Sequence, residues 1–105
     1  MAWKTCKTNS NLEMDSGDFG VVLPFTVKGT TVTASDCFRF VFKGADGATI
    51  LTQTYADVQN NTINFVLSAA ESALFPVGSY LYDLEWYQDG AFQDRLISSA
   101  LFRVV

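Results

Sequence analysis

Four stretches of this 105-residue chain carry apolar side chains at every second position. They fall at Phe19, Val21, Leu23, Phe25 and Val27; at Phe38, Phe40 and Phe42; at Ile63, Phe65 and Leu67; and at Tyr80, Tyr82, Leu84 and Trp86. A period of two puts each set on one face of an extended strand. Arg39 and Lys43 then lie on the other face of the second run, and Asp83 and Glu85 on the other face of the fourth. The runs are short, rich in β-branched and aromatic residues, and bounded by turn residues. Gly44-Ala45-Asp46-Gly47 separates the Phe38 strand from a strand over Thr49 to Tyr55, and Gln88-Asp89-Gly90-Ala91 separates the Tyr80 strand from the last one. Asp, Asn and Gly tolerate the positive φ angles that tight hairpins need, so Asn60-Asn61 reads as a further turn. An N-terminal strand is expected within Trp3 to Met14, broken near Asn9-Ser10-Asn11. Pro24 has no N–H for a ladder and is expected on an edge or at a bulge.

One stretch reads as helix. Ser68 and Glu71 have the spacing of a capping box ahead of Ala73 and Leu74, and Pro76 and Gly78 stop the helix within two turns. The run from Pro76 through Gly78 to Tyr80, just before a long strand, has the pattern of a tyrosine corner, in which the phenol bonds back to the preceding connection. About seven strands with turn signals every 8–12 residues make the signature of an antiparallel β-sandwich.

Composition fits one domain over residues 1–105. Half the chain is apolar (49%) and only 17% is charged, against a usual ~25%, so it can bury a core and does not read as disordered. The net charge is −4 and the seven Lys and Arg form no cluster, which argues against nucleic acid and against anionic membrane surfaces. There is no His, which removes Ser-His and Cys-His catalysis and the usual zinc sites. No cofactor is implied. Met1-Ala2-Trp3-Lys4 leads into polar sequence without a signal peptide, and no apolar run approaches the ~20 residues that span a bilayer; synthesis in the cytosol is expected. In that setting Cys6 and Cys37 are expected as free thiols.

Asp83 and Glu85, roughly 7 Å apart along one strand face, have the spacing of an inverting glycosidase pair, and with Asp94 they form a candidate calcium site. A solvated strand face is the plainer reading, since so small a sandwich has little material for a walled cleft and no loop carries the Asp/Asn/Gly density of calcium sites. Trp3, Trp86 and Tyr87 are candidates for a sugar-stacking platform, with Trp86 placed in the core by its alternation, leaving Trp3 and Tyr87. Cys37 falls on the outward face beside Arg39. The last strand is apolar on both faces: Leu96, Ser98, Ala100, Phe102 and Val104 on one, Ile97, Ser99, Leu101, Arg103 and Val105 on the other. With Tyr80, Tyr82, Leu84 and Trp86 inward, Leu81 and Tyr87 point out. Leu81, Tyr87, Ile97, Leu101 and Val105 are thus the expected contact surface for a second copy or a partner.

Ser16-Gly17-Asp18-Phe19 leading into Leu23-Pro24-Phe25-Thr26-Val27, then Phe38 to Phe42 with Ala45-Asp46-Gly47, then Leu67 to Leu74 followed by Pro76 to Leu84, and finally Leu96 to Phe102 with Val104, carry a family resemblance. Over residues 16–105 the chain resembles the small Ig-like domain of phage tail and baseplate proteins, in particular the N-terminal domain of phage baseplate upper proteins. It departs from such domains at Ala100, where they often have Gly, and in the connection Lys28 to Thr33. The resemblance implies an all-β, Ig-like sandwich with its helical turn between strands E and F. It also implies a non-enzymatic virion component, made in the host cytoplasm, that contacts other virion proteins and itself in a symmetric assembly. A carbohydrate- or surface-binding module is the alternative.

Overall fold

The computed structural model of the chain describes residues 11–27 and 31–105, and the backbone of residues 3–5. Its elements are β1 (Trp3–Thr5), β2 (Leu12–Met14), β3 (Leu23–Thr26), β4 (Asp36–Lys43), β5 (Thr49–Ala56), β6 (Thr62–Phe65), α1 (Ala69–Ser72), β7 (Gly78–Gln88) and β8 (Ala91–Val104). Six strands form one sheet in the order β1-β2-β8-β7-β4-β5, and β3 pairs with β6 in a second, two-stranded sheet. The fold is all-β with a sandwich-like arrangement.

The period-two runs find their places. Phe38, Phe40 and Phe42 are fully buried, as are Phe65, Leu67 and Ile63 on the facing layer. Phe42 is the hub: its ring centroid lies 5.3–5.6 Å from those of Phe65, Phe75, Tyr82 and Phe102. Phe40 meets Phe65 at 4.8 Å and Phe25 at 5.1 Å, which joins the two sheets. Pro24 lies in β3, which among the described residues pairs only with β6, an edge position as expected.

The turns are as the sequence reads. Asn60 and Asn61 have φ near +53°, and Asp89 and Gly90 have φ of +50° and +80°. The Ala48 N–H is held by Asp46 Oδ1 at 3.0 Å, and Gly47 has φ +82°. Helix α1 carries the capping box: Glu71 N–H donates to Ser68 Oγ at 3.1 Å, and Ser68 N–H donates to Glu71 Oε1 at 2.9 Å. The Tyr80 hydroxyl donates to the Pro76 carbonyl at 2.5 Å, closing the corner ahead of β7.

Three expectations are corrected. Among the described residues there are eight strands, since the N-terminal segment supplies both β1 and β2; of the break expected near Asn9-Ser10-Asn11 only Asn11 is described, and Cys6 lies outside the described residues. The large sheet is mixed, because β2 runs parallel to β8, with Leu12 opposite Phe102 and Met14 opposite Val104. Alternation shows which face is buried and carries no information on strand direction. The strand expected from Phe19 begins only at Leu23, and Phe19 is 58% exposed. Gly20, at φ +77° with its N–H on the Leu67 carbonyl, turns the backbone out of an extended path there.

At the β7–β8 hairpin end, Asp36 is buried and accepts hydrogen bonds from Thr33 N–H (2.8 Å), Trp86 Nε1 (2.9 Å) and Gln88 Nε2 (3.2 Å). The Thr33 N–H and the other donors hold its carboxyl below the ordinary value of 3.8, against the opposing effect of burial. A depressed folded value adds stability that is present at neutral pH and is lost as pH falls through that value. Unfolding free energy measured between pH 7 and pH 2 is therefore expected to drop on the acid side, and Asp36→Asn is expected to flatten that drop. Phe42→Ala is expected to cost about 3–5 kcal/mol in chemical denaturation; a loss under about 1 kcal/mol would remove Phe42 from the centre of the core.

Candidate functional site: the outer face of the six-stranded sheet

The residues of β4 and β7 that alternate with the core set point away from it, and strand register arranges them in rows. Thr54, Arg39, Glu85 and Arg95 lie side by side across β5, β4, β7 and β8. Ala56, Cys37, Tyr87 and Phe92 form the next row toward the β7–β8 hairpin. At the other end, Thr49, Lys43, Leu81 and Leu101 form a third.

Three ion pairs form on this face, while Arg39 is held by Tyr87 and keeps its buried Nε without a hydrogen-bond partner. Arg95 Nη2 lies 3.4 Å from Glu85 Oε2, and the Tyr87 hydroxyl donates to Glu85 Oε1 at 3.0 Å. That bond to Glu85 pushes the phenol's titration above its ordinary range. The Arg39 guanidinium stacks on the Tyr87 ring, 4.6 Å from its centroid, while Phe92 meets the same ring edge-on at 5.6 Å. Lys43 Nζ is 3.6 Å from Asp83 Oδ2, and Arg103 is 3.7 Å from Glu13.

Asp83 departs from the solvated-face reading. It is only 5% exposed, and its Oδ1 accepts the Ser99 N–H at 2.6 Å. The cause lies in β8, which uses 14 residues against the 11 of β7. Three register shifts take up the difference. In the first, Tyr82 opposes Ala100 and Leu84 opposes Ile97, so Asp83 faces two residues, Ser98 and Ser99, and Ser99 takes φ +50°. Such a bulge turns the strand over by one residue.

The bulge corrects the contact list at Ile97. Strict alternation puts Ile97 outside with Leu101, but across the bulge Ile97 returns to the inner side and packs against the core. The other four expected contacts lie at three places. Leu81, 41% exposed, sits directly opposite Leu101. With Ala45, Ser79 and Tyr80 these two line an open, apolar depression of about 210 Å³. Val105 is exposed beyond the end of β8, its backbone held by Met14 and Ser16. Tyr87 lies six residues along β7 from Leu81, roughly 20 Å away, with its ring held by Arg39 and Phe92. The Trp3 side chain lies outside the described residues, so the expected Trp3–Tyr87 platform has only its Tyr87 half in view. Trp86 packs against the core.

Ala45 and Tyr80 are lining residues that sequence reasoning missed. They come together because Lys43 of β4 pairs with Leu81 of β7, a long-range pairing that brings the Gly44–Gly47 turn beside the start of β7 and that no local signal announces. Asp94 opposes Trp86 in the ladder, on the side of the core set rather than with Asp83 and Glu85. Among the described residues no group of three His, Cys, Asp or Glu could hold a metal ion, and no helix is long and apolar enough to cross a membrane. No protein-family model, curated protein or solved structure matches the chain.

Removing the Asp83 carboxylate leaves the Ser99 N–H without its acceptor in a half-buried site. Asp83→Ala is expected to cost about 1–3 kcal/mol, and Asp83→Asn, which keeps an acceptor oxygen, less. Equal unfolding midpoints for wild type and Asp83→Ala would show that the bulge does not depend on this bond.

Proposed function

We propose that the chain is a non-enzymatic structural module, an Ig-like component of a phage tail, baseplate or head surface, that works by protein–protein contact in a symmetric assembly with other virion proteins and with itself. The Leu81–Leu101 depression carries this reading. It is an apolar surface held on paired strands, and the nearby Lys43 and Asp83 are paired with each other. What such a face offers a partner is apolar area, worth roughly 25 cal/mol per Å² removed from water before association costs. The exposed Val77 and Val105 extend the apolar surface around the same end of the sheet, where Gly78 opposes Val104. The resemblance of residues 16–105 to phage tail and baseplate domains supports the same class of function.

The test is solution mass across a concentration series. Wild type is expected to associate, and Leu81→Lys is expected to weaken that association at least tenfold while leaving the melting temperature nearly unchanged, because Leu81 is exposed in the single chain. A wild type that stays monomeric at every concentration, or a Leu81→Lys protein that associates as well as wild type, would contradict self-assembly through this face.

A further inference from the structure

Among the described residues the sheets have four edges, and three of them are poor templates for another strand. β1 has three residues and carries Lys4; β3 has four and carries Pro24; β6 has four. Short strands, Lys and Pro are the usual devices that stop edges from pairing. β5 has none of them. It is eight residues long, Thr49-Ile50-Leu51-Thr52-Gln53-Thr54-Tyr55-Ala56, without charge, Pro or Gly, and half of it is β-branched. Among the described residues only β4 pairs with it. One irregularity lies at its start, where Phe42 opposes Leu51 and Lys43 opposes Thr49, and the pairing from Leu51 to Ala56 is regular.

The strand is also held in place. On its inner side Gln53 Nε2 donates to the Val66 carbonyl at 2.9 Å and to Glu71 Oε2 at 3.0 Å. The Tyr55 hydroxyl donates to Gln53 Oε1 at 2.5 Å and accepts the Val66 N–H at 3.3 Å. A fixed edge gives up little conformational entropy when a partner strand docks. What satisfies unpaired edge N–H and C=O groups is another extended backbone.

From this we infer that β5 pairs antiparallel with β5 of a second copy, joining two six-stranded sheets into one continuous sheet across a two-fold axis. The strand's own sequence favours itself as occupant. A two-fold perpendicular to the sheet keeps each face on its own side, so outward Thr52 and Thr54 meet outward residues of the second copy, and inward Leu51, Gln53 and Tyr55 meet inward ones. With Gln53 opposite itself, Thr52 faces Thr54 of the second copy and Leu51 faces Tyr55. Both are favourable cross-strand pairs, and no charge meets a like charge. This contact uses the sheet's edge and is independent of the Leu81–Leu101 face.

The test uses Leu81→Lys as background, so that the face contact is removed. That protein is expected to sediment at twice the chain mass when concentrated and at the chain mass when dilute. Amide exchange within residues 51–56 is expected to slow about tenfold or more on going from dilute to concentrated. Adding Thr52→Lys and Thr54→Lys sets lysines directly opposite one another in the register centred on Gln53 and in the two neighbouring face-aligned registers, centred on residues 52 and 54. The expected result is the chain mass at all concentrations with an unchanged far-UV spectrum. Three outcomes would overturn the proposal: a Leu81→Lys protein that stays monomeric, a dimer that survives the paired lysines, or a dimer whose protected amides lie outside β5. Should the lysine variant fail to fold, the exchange measurement on the background protein decides alone.

Discussion

The hydrogen bond from the Ser99 N–H to the buried Asp83 carboxylate, 2.6 Å long, fixes the point at which β8 turns over. Without it the two-residue bulge would have a positive-φ serine and no acceptor for its N–H. Strain of this kind costs on the order of 1–3 kcal/mol, and a hydrogen bond to a charged acceptor recovers about as much. Lys43 balances the same carboxylate at 3.6 Å. The consequences run both ways along the strand. Toward the C-terminal end, Ala100, Phe102 and Val104 enter the core and Leu101 emerges beside Leu81. Toward the hairpin, Ile97 enters the core, and after a second shift Arg95 comes out beside Glu85. The apolar depression and the charged row next to it are therefore two results of one local event.

The aromatic core explains how so thin a second layer suffices. The two-stranded sheet and the connection around α1 supply Ile63, Phe65, Leu67 and Phe75, all buried against the three phenylalanines of β4. The Tyr80–Pro76 bond and the Gln53–Tyr55–Val66–Glu71 network tie that connection back to the large sheet. The large sheet thus packs against this layer on one side and leaves its other side as an outer face.

Much of the fold was legible because the signals were local. Phe38–Phe42, Ile63–Leu67 and Tyr80–Leu84 declare their buried face by period alone, the turns follow from Asp, Asn and Gly, and Ser68–Glu71 is a complete capping signal. What could not be read depended on distant partners. Nothing in Leu12–Met14 shows that it runs parallel to β8. Phe19 continues the alternation past Gly20, where the backbone turns and leaves it exposed, while Val21 still packs against the core. Ile97 was assigned outward because alternation was carried across Ser98–Ser99, where neither serine announces a bulge. The signal was on the other strand, in Asp83, whose place in an otherwise apolar-flanked run asked for a donor. Half of the candidate face, Leu81 and Leu101, was legible for the same reason the core was; its lining by Ala45 and Tyr80 follows only from the long-range β4–β7 register.

The central claim is that the β8 bulge divides the strand's apolar residues between core and surface. Methyl-resolved NMR with a soluble paramagnetic probe tests this most directly. The account predicts that the Ile97 methyls are shielded from the probe and show contacts to Leu84, while the Leu81 methyls are strongly relaxed and contact Leu101. Ile97 methyls as accessible as those of Leu81, with contacts to outward residues of β7, would contradict it.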